Sequence, residues 1–273
     1  MTAGRTPDPE TAPPGARAAP VSRRGLLVLG GAAVAVAAAG VGLARLWGAA
    51  LEYNDLEGLE PFRQLVSDGA VSTGSMAFAG LQREAAEDVA ARALEVRAAP
   101  CEPLFGDAGA DGALPIAYFS DFNCPYCRVL EGDLAEVLGA DPGLRLVRHE
   151  LPLLGAASAS AARAVLAADL QGGYDVMKTR LLRAGLITDE PYLRAVAGPL
   201  GLDADRLIRD MDAPTVTDRL RTSLALGRVF GIVGTPALVI GRTLVVGAVS
   251  ARTIRAVVRD ERAMPEPICG WPA

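Results

Sequence analysis

Histidine and lysine are nearly missing from this chain: His149 and Lys178 stand alone among 273 residues. Cysteine is scarce as well, with Cys101, Cys124, Cys127 and Cys269 making four. A zinc site built from two ligand pairs therefore finds a single pair, Cys124 and Cys127, and no second one. A formal charge of −5 offers no basic excess for nucleic acid. At 51% hydrophobic residues the body of the chain is not of disordered composition. No internal repeat is visible. No motif implies a metal, a nucleotide or another cofactor.

What the chain does have is a pivot at residues 114–130, LPIAYFSDFNCPYCRVL. An apolar run, 114–119, breaks into a short polar turn and reaches Cys124-Pro125-Tyr126-Cys127. Apolar residues then recur at Val129, Leu130, Leu134, Val137 and Leu138, the spacing of a helix. A strand that delivers two cysteines onto the first turn of a helix suits redox chemistry. The unpaired N–H groups of a helix N-terminus carry partial positive charge and favour a thiolate there. The thiolate is the nucleophile in disulfide exchange, so Cys124 is the expected attacking sulfur. Pro125 fits the start of the helix, where its missing N–H costs nothing. Cys127, one turn on, is the expected resolving partner and the less exposed of the two.

The N-terminus bears on the compartment. Residues 1–24 are rich in Pro, Ala and Gly and are expected to be disordered. Residues 25–44 carry no charge, and Arg45 ends the run. Without a polar face this is no buried soluble helix. It is a signal peptide or a transmembrane anchor, 25–45, its length near that of a bilayer span. Ser22-Arg23-Arg24 followed by Gly25-Leu26-Leu27 resembles a twin-arginine export signal, with Leu26 where that pattern has Phe. Arg5, Arg17, Arg23 and Arg24 precede the run, which by the positive-inside rule leaves the N-terminus in the cytoplasm and the body outside. A periplasmic or other extracytoplasmic, membrane-tethered protein follows, in an oxidising compartment.

Residues 46–100 read as a linker and helical arm, with a helix over 81–96. A domain over 101–273 comes next. It opens with a strand at 114–120, a helix at about 124–139 and a strand at 144–149. Helical spacing then fills an insertion of about 156–230, with Thr215 as the N-cap of its last helix. A hairpin returns at 237–240 and 243–246, and Ser250 caps a final helix over 251–262. The fold class is α/β, thioredoxin-like with a helical insertion.

From about 114 to 262 the chain resembles the DsbA-like branch of the thioredoxin superfamily, through strand–CPYC–helix, the helical insertion and GIVGTPALVIGRTLVVG near the end. The resemblance implies a cis Pro236 facing the cysteine pair and a Thr235 whose backbone groups meet a bound peptide. Pro125, Tyr126 and Pro236 would add apolar packing against that peptide. It implies protein disulfide formation in cysteine-containing exported proteins, with a membrane redox partner to reoxidise the enzyme. One departure stands out. The family often has an acidic residue six places before the first cysteine, whereas this chain has Tyr118. Asp121, Glu131 and Tyr126 are the other groups near the pair, Glu131 and Tyr126 being expected to face solvent. Tyr126 brings no positive charge, so a mild oxidant is expected. His149, alone on a strand, receives no catalytic role.

Several alternatives stay open at this level. The same scaffold serves a reductase or an isomerase, and a membrane-anchored binding module would hold a merely structural C-x-x-C. Cys101 and Cys269 form an even remainder that suggests a structural bridge. Their rival role is to relay electrons to the active pair.

Overall fold

The computed structural model describes residues 51–74, 83–183, 185, 187–265 and 268–270. The expected N-terminal segment 1–24, the apolar run 25–45 and the last residues after Gly270 lie outside them. Among the described residues no helix is long and apolar enough to cross a membrane.

The most apolar strand takes the most buried place. Strand β4 (Leu114–Ser120) is buried at every position, as a strand covered on both faces must be. It pairs in parallel with β5 (Leu144–Glu150), from Leu114↔Leu144 to Ser120↔Glu150. On its other side lies β7 (Ala237–Ile240), antiparallel, with Phe119 opposite Ala237. The hairpin partner β8 (Thr243–Val246) follows. Alternation along β4 divides the core. Ile116 and Tyr118 face helices α3 (Pro125–Ala140) and α9 (Ala251–Arg262) through Leu130, Leu134, Ile254 and Val257. Ala117 and Phe119 face α1 (Arg83–Ala98), α2 (Cys101–Phe105) and α8 (Pro214–Val229) through Val96, Leu104, Phe105 and Leu226.

Between β5 and the return to the sheet, helices α4 (Ala156–Asp169), α5 (Tyr174–Arg183), α6 (Glu190–Ala197), α7 (Ala204–Asp210) and the start of α8 enclose their own core around Val165, Met177 and Leu207. Phe122, from the loop just before the cysteines, reaches into that core and ties the subdomain to the site. Pro214, not Thr215, begins α8, with Ala213 as its N-cap residue. Proline at a first helical position is pre-set for the helix, and that outweighs a threonine cap one residue later.

Residues 51–74 depart from the linker expected over 46–100. Strands β1 (Tyr53–Asp55) and β2 (Arg63–Leu65) extend the sheet, whose full order is β1-β2-β8-β7-β4-β5. A third strand, β3 (Ser72–Thr73), pairs antiparallel with β6 (Gly234–Thr235). Two- and three-residue strands are too short to show a period of two.

Two devices fasten the chain ends to this sheet. Glu261 of α9, with its side chain sealed from solvent, accepts hydrogen bonds from Thr243 Oγ1 at 2.6 Å, the Arg242 backbone N–H at 3.0 Å and Arg63 Nη2 at 2.9 Å. Arg242 Nε is a fourth donor at 3.2 Å. One carboxylate thus joins β2, the hairpin turn and the last helix. Cys101 and Cys269 form a disulfide, with Cα atoms 5.6 Å apart and a sequence separation of 168. Closing a loop of that length is worth roughly 5 kcal/mol on the chain-entropy account.

Glu261→Ala removes the acceptor of the buried Thr243 hydroxyl and of the Arg242 backbone N–H. It is expected to lower the unfolding free energy by about 3–5 kcal/mol, read as a drop in the urea midpoint at unchanged slope. Replacing both Cys101 and Cys269 by Ser is expected to cost up to roughly 5 kcal/mol in the same assay; a wild-type midpoint would show the bridge to be idle.

Candidate active site

The strand β4 ends at Ser120, and the four residues that follow set up the first turn of α3. Asp121 organises them with its carboxylate. Its Oδ1 accepts from the Asn123 N–H at 2.7 Å and from Ser158 Oγ at 2.6 Å, and its Oδ2 from the Leu153 and Leu154 N–H groups at 2.7 and 2.9 Å. With four donors Asp121 is a brace between the cysteine loop, the segment after β5 and α4, rather than a group free to move a proton.

Cys124 is the N-cap of α3, in extended conformation, and its sulfur accepts the Cys127 backbone N–H at 3.3 Å. Pro125 occupies the first helical position. Both cysteines are free thiols in this structure, and both are buried, Cys124 entirely. The Cys124 thiol is drawn down to about 5. The largest cause is the Cys127 side chain, which donates to the sulfur, joined by the Ser72 and Thr235 side chains and the Cys127 N–H; burial opposes them. The Thr235 hydroxyl is buried and forms no hydrogen bond of ordinary geometry, so its hold on the sulfur is loose. Cys127 moves the opposite way, pushed far up by burial and by holding its proton against the Cys124 sulfur. The pair thus shares one proton, held by Cys127 while Cys124 carries the charge.

Thr235 and Pro236 close the site from the sheet side. Their peptide bond is cis, and the Thr235 carbonyl faces the Cys124 sulfur at 3.2 Å, accepting its S–H while the proton is there. Both residues are buried, whereas Pro125 and Tyr126 are exposed on the first turn of α3. The backbone of Thr235, expected to stand open for a peptide, is already engaged with Ser72 of β3. Exposed Val129 and Val233 flank the same end of the molecule.

Behind Cys127 lies a group of charges. Glu131 is only half exposed, against the expectation that it faces solvent. It accepts from Arg148 Nη1 at 3.0 Å and from Lys178, the single lysine, in a short bond. The insertion helix α5, by supplying Lys178, pulls Glu131 inward. Cys127, Glu131 and Lys178 line a cavity of about 10 Å³, room for roughly one water. Tyr118 lies beneath, its hydroxyl donating to the Cys127 carbonyl at 3.2 Å. Glu150, fully buried at the end of β5, is raised to about 7 by burial, with Tyr174 donating to it in a short bond. Of these groups Glu150, Lys178 and Ser72 were not singled out in the sequence. The lone lysine was a signal; Ser72 sits in a stretch with none.

His149 is structural. Its Nε2 donates to the Leu104 carbonyl at 2.9 Å and its ring stacks on Phe119 at 4.8 Å. Burial lowers it to about 4, so it stays neutral. Among the described residues no group of acidic, histidine and cysteine side chains is arranged to hold a metal.

Residues 115–259 match the model of the DSBA-like thioredoxin domain. A thioredoxin-like oxidoreductase from Silicibacter pomeroyi DSS-3 is 37% identical, over 60% of this chain and 99% of its own, with a TM-score of 0.55. The catalytic domain of Proteus mirabilis ScsC is 27% identical over 62% of this chain and 98% of its own, at 0.53. The thiol-disulfide exchange protein alpha-DsbA2 from Wolbachia pipientis, 22% identical over 64% of this chain and 97% of its own, at 0.53, shares the fold. A Na(+)/H(+) antiporter NhaA from Herminiimonas arsenicoxydans is 32% identical over 155 residues, which are 56% of this chain. This chain spans only 24% of that relative's length.

Thiolate absorbance of the reduced protein is expected to titrate with one midpoint near 5, lost in Cys124→Ser. Cys127→Ala, which removes the largest stabilising bond, is expected to raise that midpoint. A wild-type midpoint near that of a free thiol, about 8.5, would refute the assignment of charge to Cys124.

Proposed function

As the chain belongs to the DSBA-like thioredoxin domain family, whose members carry out thiol–disulfide exchange, we propose that this enzyme forms disulfides in exported, cysteine-containing proteins outside the cytoplasm. What carries the proposal is the Cys124 sulfur, an ionised N-cap of α3 with Cys127 one turn away. A reduced form stabilised in this way makes the disulfide form an oxidant. The stabilisation comes from hydrogen bonds around the sulfur, and the dipeptide Pro125-Tyr126 adds no charge to it.

In the forward direction a client thiolate attacks Cys124 of the Cys124–Cys127 disulfide. The S–S bond breaks, and Cys127 leaves with the electron pair and takes up a proton, which its raised affinity favours. A second client thiol then attacks the mixed disulfide at the client's sulfur. Cys124 leaves as a thiolate, the better leaving group of the two for its lowered pKa. The client departs oxidised and the enzyme reduced. Reoxidation falls to a membrane redox partner. Pro125, Tyr126 and Pro236 would pack against the client chain, and Thr235 would pair with its backbone. Support for an oxidising compartment comes from the Cys101–Cys269 bridge and from the apolar run at 25–45 with its preceding arginines. The bridge is closed within itself, which speaks for a structural role over electron relay.

Refolding of a reduced, disulfide-containing substrate by the full-length oxidised protein is expected to exceed that with Cys124→Ser by orders of magnitude; equal rates would end the proposal. Trapping thiols in living cells separates directions, since an oxidase is held mostly as the disulfide and a reductase or isomerase mostly as the dithiol. The pH dependence has a definite sign. Reduction of the enzyme by glutathione leaves one thiolate and releases one proton. Its equilibrium constant should therefore rise about tenfold per pH unit from about 5 to about 8.5, and be flat below 5.

A further inference from the structure

Cys124 has no exposed surface at all, an odd condition for a sulfur that must meet the thiol of another protein. Among its surroundings is a crossing of the chain, since Ser72 pairs with Thr235, whose carbonyl meets the sulfur at 3.2 Å. After β2 the backbone crosses the mouth of the site. The Ala70 carbonyl accepts the Ala248 N–H at 2.9 Å, and Ser72 and Thr73 pair antiparallel with Thr235 and Gly234. The outer side of this crossing is open, Ala70, Thr73 and Gly74 being exposed and Val71 and Ser72 half-buried.

The crossing is cut to fit at glycines. A Cβ on Gly234 would lie 2.7 Å from the Ser72 carbonyl oxygen, and one on Gly74 would lie 2.3 Å from that of Leu153. Gly247, at φ +95°, has room for no Cβ because the Gly69 carbonyl oxygen would be 2.2 Å away. These close approaches involve backbone on both sides, so larger residues could not be absorbed by side-chain rotation. Of the two paired residues, Ser72 lies opposite Thr235, whose carbonyl meets the Cys124 sulfur at 3.2 Å, and its side chain lowers that sulfur's hold on its proton. Alternation along a strand sends Thr73 the other way, where it is exposed.

We propose that residues 69–74 are an internal pseudosubstrate strand: they occupy the peptide groove along Gly234–Thr235 and hold Ser72 where a client's cysteine must come. This rests on the reading of Cys124 as the sulfur that clients attack. A serine hydroxyl bonds to the thiolate by hydrogen alone and forms no covalent link, so the strand shields the sulfur without consuming it. A client reaches Cys124 only by displacing the strand. Among the described residues the strand is held by two paired residues and one bridge, contacts of the kind that open locally without global unfolding.

A covalent test reads the placement of Ser72. Take the full-length protein carrying Cys127→Ser and Ser72→Cys, and add glutathione disulfide. Cys124 attacks it, gains a glutathionyl group and releases one glutathione. The thiol introduced at position 72 then displaces the second glutathione and becomes bonded to Cys124. Peptide mapping without reductant is expected to find this link in most molecules. The matched variant Cys127→Ser, Thr73→Cys is expected to keep the glutathione adduct. A persistent adduct in the Ser72→Cys protein, or equal linking at both positions, would overturn the proposal.

Gly74→Val tests the shielding. It is expected to raise the rate at which iodoacetamide alkylates Cys124 in the reduced protein at pH 7.5 by at least tenfold, with the far-ultraviolet circular dichroism unchanged. An unchanged rate in a folded variant would refute shielding, and if the variant does not fold the cross-link decides alone. Should Cys124→Ser prove as active in refolding as wild type, the redox proposal fails while the cross-link still reports on the strand.

Discussion

One turn up α3 from Cys124, the Cys127 N–H points back at the Cys124 sulfur from 3.3 Å, and the Cys127, Ser72 and Thr235 side chains lower that sulfur's hold on its proton. A buried thiolate is costly unless donors replace the water it has lost, and these donors come from three places in the chain: a helix, the strand beside a cis proline, and the N-terminal crossing. The position of the helix follows from β4, whose two covered faces leave it a single register. The position of Thr235 follows from β7, paired to β4 by Phe119 and Ala237. Keeping one sulfur ionised therefore depends on the whole sheet being in register.

The covering strand has two opposed effects on that sulfur. Its burial of Cys124 disfavours the charge, while Ser72 supplies a donor that favours it. Displacement would undo both together, and burial is the larger of the two, so the exposed sulfur would stay ionised without the Ser72 donor. Anchoring at Glu261 matters here as well, because it holds Arg63 of β2 against the hairpin turn and so fixes where the crossing begins. The bridge between Cys101 and Cys269 performs the equivalent service for α2 and the end of the chain.

The helical insertion contributes side chains that surround the cysteine pair without touching the Cys124 sulfur. Phe122 packs into its core, Ser158 holds Asp121, and Lys178 draws Glu131 beside Cys127. Tyr118 occupies the place where an acid is common in related proteins, and its hydroxyl is spent on the Cys127 carbonyl. Glu131 and Lys178 reach the same neighbourhood from α3 and α5. Acidic and basic groups near the buried sulfur are thus present, carried on different elements from the one that sequence comparison with the family would point to.

Local patterns determined the central frame. Long apolar runs and helical spacing made β4, α3, β5, the β7–β8 hairpin and α9 readable to within a residue or so, because each element's signal lies inside its own segment. Cysteine spacing and the helix that follows singled out Cys124 as the expected attacking sulfur, whereas Gly234-Thr235-Pro236 drew notice only through the resemblance to the DsbA-like family. Tertiary structure alone decided the rest. The strands β1, β2 and β3 are two or three residues long, and β2 and β3 pair with segments some 160 to 180 positions away, so no periodicity announces them. Glu131 looked like a solvent-facing helix residue until Lys178 and Arg148 were brought to it. Ser72, an ordinary serine in an unpatterned stretch, gains its meaning only from lying across Thr235, because a contact between distant segments leaves no trace in either segment by itself.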